Sequence, residues 1–86
     1  MSYTSEETAI ICGFLNLYFE RDSVDVAVRE KFRRFRRRAK QDALEQEDYR
    51  WAEKALIFLR PYWWDSFEDQ RALESVLLKT STLSAK

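Results

Sequence analysis

The chain has 86 residues, of which 45% are apolar and 15% aromatic, with 15 basic residues, 15 acidic residues and no histidine. This length predicts one domain, and the apolar content excludes an intrinsically disordered chain. The single glycine and single proline disfavour folds rich in β-hairpins, and the lack of histidine excludes a Ser-His-Asp triad, a Cys-His pair and any imidazole metal site.

The first predicted helix covers residues 5–21. Thr4 and Glu7 fit a capping box, in which each side chain accepts a hydrogen bond from the backbone N–H of the other residue. The apolar residues spread over more than half of the helix surface, which predicts a mostly buried, central helix. They are Ile10, Ile11, Cys12, Phe14, Leu15, Leu17, Tyr18 and Phe19. Ala9 and Gly13 lie on the remaining face and are small enough for another helix to approach closely.

The second predicted helix begins near Asp22 or Ser23, which are both good N-cap residues, and extends to Lys40. Apolar side chains recur along it at steps of four, four, three and four residues, which is the spacing of one helical face. This core stripe consists of Val24, Val28, Phe32, Phe35 and Ala39.

The boundary between the second and third helices is not marked by glycine or proline. We predict a break between Lys40 and Gln46, because the charge changes there from basic to acidic and Asp42 with Glu45 can cap a new helix. A single helix over residues 24–60, about 55 Å long, is the alternative.

The third predicted helix has a core stripe with further apolar residues beside it. The stripe is formed by Tyr49, Ala52, Leu56 and Leu59, and Trp51, Ala55 and Phe58 lie beside it. Pro61 ends this helix, because a proline disfavours the helical conformation of the residue before it.

The fourth predicted helix starts from a cap at Asp65 or Ser66 and ends near Lys79. Its inner face is formed by Leu73, Val76 and Leu77. Residues 80–86 are small and polar for the most part, and we predict that they form a frayed C-terminal tail.

These elements predict an all-α fold, in the form of a compact four-helix bundle with a single domain over residues 1–79. Acidic residues crowd the first turns of the helices and basic residues close the last turns, which is the order that the helix macrodipole favours. The alternative architecture has three helices, one of which spans residues 24–60.

The second helix has an unusual charge pattern, because seven of the ten residues from 31 to 40 are basic. At 100° per residue, its basic side chains fall on both sides of the apolar stripe. One arc of about 100° holds Arg29, Arg33, Arg36, Arg37 and Lys40, and the other flank holds Lys31, Arg34 and Arg38. Guanidinium groups donate paired hydrogen bonds to carboxylates and phosphates, so the arc predicts a surface for an acidic protein or for a nucleic-acid backbone. The alternative is a solvated face that the acidic first turns of neighbouring helices partly neutralise.

Six aromatic residues cluster in the sequence around Pro61, namely Trp51, Phe58, Tyr62, Trp63, Trp64 and Phe67. Because Trp63 and Trp64 are adjacent, they cannot easily both point inward, and we predict that at least one is partly exposed. Exposed tryptophan is enriched at protein interaction sites, and Ile57 on the polar face of its helix can extend such a patch. The alternative is that these rings close the end of a small core while their indole N–H groups reach solvent.

The function predicted from these features is that of a non-catalytic regulatory or adaptor protein that binds an acidic surface of another protein. The predicted interface consists of Arg29, Arg33, Arg36, Arg37, Lys40, Trp63 and Trp64. A homodimer is compatible with the same features. The alternative is a nucleic-acid-binding module that uses the same helix on the phosphate backbone.

Neither a catalytic residue nor a cofactor or metal site is predicted. Cys12 lies within an apolar helix, where an inert, packed thiol is expected. A single cysteine and an N-terminus without a basic segment predict a reduced cytoplasmic protein without a signal peptide. The apolar stretch from Ala9 to Phe19 is too short to cross a bilayer, so we expect no membrane association.

Overall fold

The structure is a computed structural model that describes residues 2–21, 23–64 and 67–85, with the backbone alone for residues 67–69. Every regular element in these residues is helical. The helices are α1 (Ser5–Phe19), α2 (Val26–Lys40), α3 (Gln46–Phe58), α4 (Arg60–Trp63) and α5 (Phe67–Ser84). The prediction of an all-α fold with four long helices is therefore confirmed, and the single-turn helix α4 is added to it.

The chain divides into two compact helical units. The first is Ser2–Leu44, which contains α1 and α2, and the second is Glu45–Lys86, which contains α3, α4 and α5. The prediction of one domain over residues 1–79 stays a prediction.

Helix α1 begins with the predicted capping box. The hydroxyl oxygen of Thr4 accepts a hydrogen bond from the backbone N–H of Glu7 at 3.1 Å, and Oε1 of Glu7 accepts one from the N–H of Thr4 at 2.8 Å. The helix ends at Phe19 rather than at the predicted Arg21. The guanidinium of Arg21 turns back and donates to the carbonyl of Leu17 at 2.7 Å.

The prediction that α1 is mostly buried is wrong. Only Ile11, Leu15 and Phe19 are buried, and Leu17 is 59% exposed. Within its unit α1 packs against α2 alone. One stripe of residues four apart is enough to cover a single neighbouring helix, so the wider apolar surface is left half-buried or exposed.

Helix α2 begins later than the sequence predicts. Its N-cap is Asp25, whose carboxylate accepts a hydrogen bond from the N–H of Ala27 at 2.8 Å. The predicted start at Ser23 is therefore wrong, and the predicted cap Asp22 lies outside the described residues. Phe32 and Phe35 are buried as predicted, with their rings 6.1 Å from Phe19 and 6.5 Å from Tyr3 respectively.

The predicted break between the second and third helices is confirmed, and the continuous helix over residues 24–60 is wrong. Helix α2 ends at Lys40, and Asp42 has a φ of 52°, a left-handed conformation that interrupts a helix. Helix α3 starts after Glu45, whose N–H donates to the carboxylate of Asp48 at 3.0 Å. The cap therefore pairs Glu45 with Asp48 instead of with Asp42.

Helices α3 and α5 pack against each other to form the core of the second unit. The buried apolar residues include the predicted stripe Tyr49, Ala52, Leu56 and Leu59, together with Ala55, Leu73 and Val76. Near the start of α3, the side-chain amide of Gln46 donates to the carbonyl of Ser84 at 3.0 Å, so the pairing extends to the end of α5.

The prediction of a frayed tail over residues 80–86 is wrong, because α5 continues to Ser84. Thr80 and Leu83 are buried and continue the inner face of Val76 at steps of four and three residues. The hydroxyl of Thr80 donates to the carbonyl of Val76 at 2.6 Å, so this polar group is satisfied inside the core. The predicted caps Asp65 and Ser66 lie outside the described residues.

Candidate binding surfaces

Contacts with α1 divide the predicted arginine arc. Glu20, the C-cap residue of α1, accepts hydrogen bonds from Nε and Nη2 of Arg33, each at 3.2 Å. Nη2 of Arg36 lies 3.8 Å from the same carboxylate, and Nη1 of Arg36 donates to the side-chain oxygen of Asn16 at 3.2 Å. Two members of the arc therefore join α2 to α1.

The pKa shifts of Glu20 and Arg33 agree with this geometry. The hydrogen bond from Arg33, followed by the nearby charges of Arg33, Arg36 and Arg29, lowers the pKa of Glu20 below its ordinary value. The same bond raises the pKa of the Arg33 guanidinium. The carboxylate that pairs with Arg33 and Arg36 thus lies at the C-terminal end of α1, whereas the sequence predicted partners in the first turns of neighbouring helices.

Arg37 and Lys40 are the part of the arc that remains outside this network. Both side chains are exposed. Among the described residues, neither makes a hydrogen bond or an ion pair. Arg29 is half-buried, and its charge acts on Glu20. Arg33 and Arg36 therefore contact α1, whereas Arg37 and Lys40 are accessible to a partner.

Trp63 is inside the core of its unit and is not available to a partner, which corrects its predicted place in the interface. It is 1% exposed, and its indole N–H donates to the carbonyl of Leu56 at 3.0 Å. Pro61 sits in the first turn of α4, where a proline is compatible with a helix, and Trp63 is the buried residue of this short helix.

Trp64 is 40% exposed, in agreement with the prediction that one of the two tryptophans lies at the surface. The guanidinium carbon of Arg60 lies 4.3 Å from the centre of the Trp64 ring, which is a cation–π contact. The Trp63 ring meets it edge-on with 5.9 Å between centroids. Both contacts restrict the Trp64 side chain while one face of it stays accessible.

Three further large apolar side chains are exposed beside Trp64 in the sequence, namely Ile57 (52%), Phe58 (73%) and Tyr62 (64%). We call Ile57, Phe58, Tyr62 and Trp64 the aromatic corner. The sequence pattern placed Phe58 beside the core stripe, and this was wrong. The buried face of α3 is centred on Ala52 and Leu56, and Phe58, the last residue of the helix, points away from that face. The helical periodicity of 100° per residue correctly predicted that Ile57 lies on the outer face of α3.

Cys12 is half-buried, and burial raises the pKa of its thiol, while the charges of Arg36 and Lys40 act in the opposite direction. A raised pKa leaves little thiolate at neutral pH, and the thiolate is the reactive form. In the described part of the chain, no three histidine, cysteine, aspartate or glutamate residues converge on a point that could hold a metal ion. No described helix combines the length and the apolar character that crossing a membrane requires.

The chain matches no protein-family model, no curated protein and no solved structure. Its function must be inferred from its own residues and their geometry.

Proposed function

We propose that this chain is a small non-catalytic protein that binds another protein, in a regulatory or adaptor role, and that the aromatic corner is the main contact. The observation that carries this proposal is the concentration of exposed apolar side chains within residues 57–64. Single exposed apolar residues are ordinary on protein surfaces, whereas a group of large ones indicates an interaction site. Tyrosine and tryptophan in particular dominate the binding energy of protein interfaces.

Two contacts restrict part of the aromatic corner before any partner binds. Trp63 anchors α4 in the core, so its neighbours Tyr62 and Trp64 project from a short helix of defined conformation. Arg60 stacks on Trp64 and restricts its ring. Side chains that are already restricted lose less conformational entropy on association, which favours affinity.

Nucleic-acid binding through the arginine helix remains the second prediction. The network around Glu20 opposes it, because one carboxylate already neutralises part of the charge of Arg33 and Arg36. The zero net charge of the chain opposes it as well.

Two further predictions, about cellular location and oligomeric state, belong to this proposal. A cytoplasmic location rests on the lone Cys12, since disulfides are typical of proteins in oxidising compartments. If the protein partner is a second copy of the chain, the proposed complex is a homodimer.

Affinity capture from a lysate of the source cells, with the full chain as bait, tests the proposal. We expect a stoichiometric protein that is retained after nuclease treatment and lost with the Phe58→Ser/Tyr62→Ser bait. The matched control is Leu17→Ser/Leu78→Ser, which removes two equally exposed apolar side chains outside the corner, of 59% and 72% exposure. This control should retain the partner.

Two results would contradict the proposal. Equal capture by the Phe58→Ser/Tyr62→Ser bait would show that the aromatic corner is not the contact. Capture that disappears with nuclease, and that weakens steeply between about 50 and 200 mM salt, would favour the nucleic-acid alternative.

A further inference from the structure

We infer that the C-terminal half of α2 presents a second contact, formed by Arg37 and Lys40, to a carboxylate-rich segment of the protein partner. This inference rests on the proposed protein-binding function and adds the chemistry of the partner. It is narrower than the predicted arc, because Arg33 and Arg36 contact Glu20 and Asn16 of α1 instead.

The charge of α2 is the first support. The helix has eight basic residues and one acidic residue, Glu30, which lies in its N-terminal half. Glu20 of α1 compensates part of this charge, at Arg33 and Arg36. Beyond Arg36, the side chains of Arg37 and Lys40 are exposed and make no ion pair among the described residues, so their charges are accessible to a partner.

The positions of Arg37 and Lys40 are the second support. The buried face of α2 is centred between Phe32 and Phe35, and at 100° per residue Arg37 points almost directly away from it. Lys40 follows one turn later, about 4.5 Å further along the helix axis. Carboxylates three or four residues apart on a partner helix have a similar separation, so both cations can be matched at once.

The rest of the chain favours a short acidic protein segment over a nucleic acid. From Glu45 to the end of the sequence there are eight acidic and six basic residues, so the positive field is confined to one helix about 22 Å long. A duplex carries one charge per about 1.7 Å along its whole length, so one short basic helix could engage only a small part of it.

Titration of the purified full chain with a defined probe tests the inference. The probe is a fluorescein-labelled poly-L-glutamate peptide of the same length as α2, 15 residues, and its anisotropy is followed at about 50 mM salt. We expect Arg37→Glu/Lys40→Glu to weaken binding by about tenfold or more. The matched control Lys31→Glu/Lys54→Glu changes the net charge equally at two other exposed lysines and should weaken binding by less than about threefold.

Circular dichroism of each variant establishes that the helices are retained. If charge reversal unfolds the chain, Arg37→Gln/Lys40→Gln replaces it, with an expected weakening of about threefold or more. Equal weakening in the control would overturn the inference, because binding would then follow net charge alone. Tighter binding of an oligothymidylate of the same length, with the same dependence on Arg37 and Lys40, would overturn the assignment to a protein segment.

Affinity capture with the Arg37→Glu/Lys40→Glu variant as bait distinguishes failure of this inference from failure of the proposed function. If the captured partner is lost with Phe58→Ser/Tyr62→Ser but retained with Arg37→Glu/Lys40→Glu, protein binding stands and the second contact is wrong. If no protein is captured at all, the proposed function fails, and the partner segment inferred here fails with it.

Discussion

Glu20 and Arg33 form a double hydrogen bond, at 3.2 Å in each case, that joins the end of α1 to the middle of α2. The side chains are 23% and 54% exposed, so the pair lies at the surface of the helical hairpin. A fork-to-fork geometry of this kind is more directional than a simple contact between charges. Part of an arginine pattern that resembles a ligand-binding surface therefore serves the fold.

The stability of the α1–α2 contact should depend on pH through Glu20. Because Arg33 lowers the pKa of Glu20 in the folded chain, its contribution is present above the ordinary glutamate value of 4.5 and is lost as the pH falls through the lowered pKa. We expect the thermal midpoint of the wild-type chain to fall more between pH 6 and pH 3 than that of Glu20→Gln, as measured by circular dichroism. Parallel curves for the two proteins would show that the bond adds nothing to stability.

Replacement of Gly13 by alanine should stabilise the chain. Gly13 lies in the middle of α1 without a positive φ, and a Cβ atom added there meets no atom within 4 Å apart from its chain neighbours and the local backbone of α1. Alanine removes the entropic cost of a helical glycine, so we expect a gain of about 0.5–1 kcal/mol in the free energy of unfolding by urea. Ala9→Gly, at an exposed position of the same helix, should lose a similar amount. A loss of stability in Gly13→Ala would indicate a close contact that this geometry does not contain.

The adjacent tryptophans should differ sharply in their effect on stability. Trp63 is buried and its indole N–H is hydrogen-bonded, so Trp63→Ala should cost about 3–5 kcal/mol. Trp64 is partly exposed, and Trp64→Ala should cost no more than about 1 kcal/mol. Denaturant unfolding followed by circular dichroism measures both. Similar losses for the two variants would contradict the separate roles assigned to them.

Removal of residues 80–86 should destabilise the second unit. The deletion exposes the partners of Thr80 and Leu83, which are 0% and 5% exposed, and it removes the acceptor of the Gln46 hydrogen bond. We expect a cost of about 2 kcal/mol or more, whereas loss of a frayed tail would change stability by less than about 0.5 kcal/mol. Ending the chain at Ser84 is the control, and it should unfold at the same urea concentration as the full chain.

Features that depend on neighbours in the sequence were predictable. The Thr4–Glu7 capping box and the break after Lys40 follow from residues within one or two helical turns of each other. The burial of Phe32 and Phe35 follows from the period of the helix, because apolar residues at this spacing share one face. In each case the physical cause lies within a few residues, and it acts in the same way wherever the helix is placed.

Features that depend on distant residues were not predictable. Glu20 and Arg33 are 13 residues apart, and their contact follows from the packing of α1 on α2, which no local pattern specifies. The length of α5 was underestimated because Thr80 becomes helical and buried only when α3 lies alongside it.

The arginine pattern of α2 and the aromatic content around Pro61 were thus properties of the sequence alone, since side-chain chemistry and helical period suffice to group them. Tertiary packing alone decided that Arg33 and Arg36 bind Glu20 while Arg37 and Lys40 are left without an ion pair among the described residues. It also decided that Trp63 is buried and Trp64 exposed. The physical reason is that a side chain becomes a contact within the fold or a surface for a partner according to which helix lies beside it.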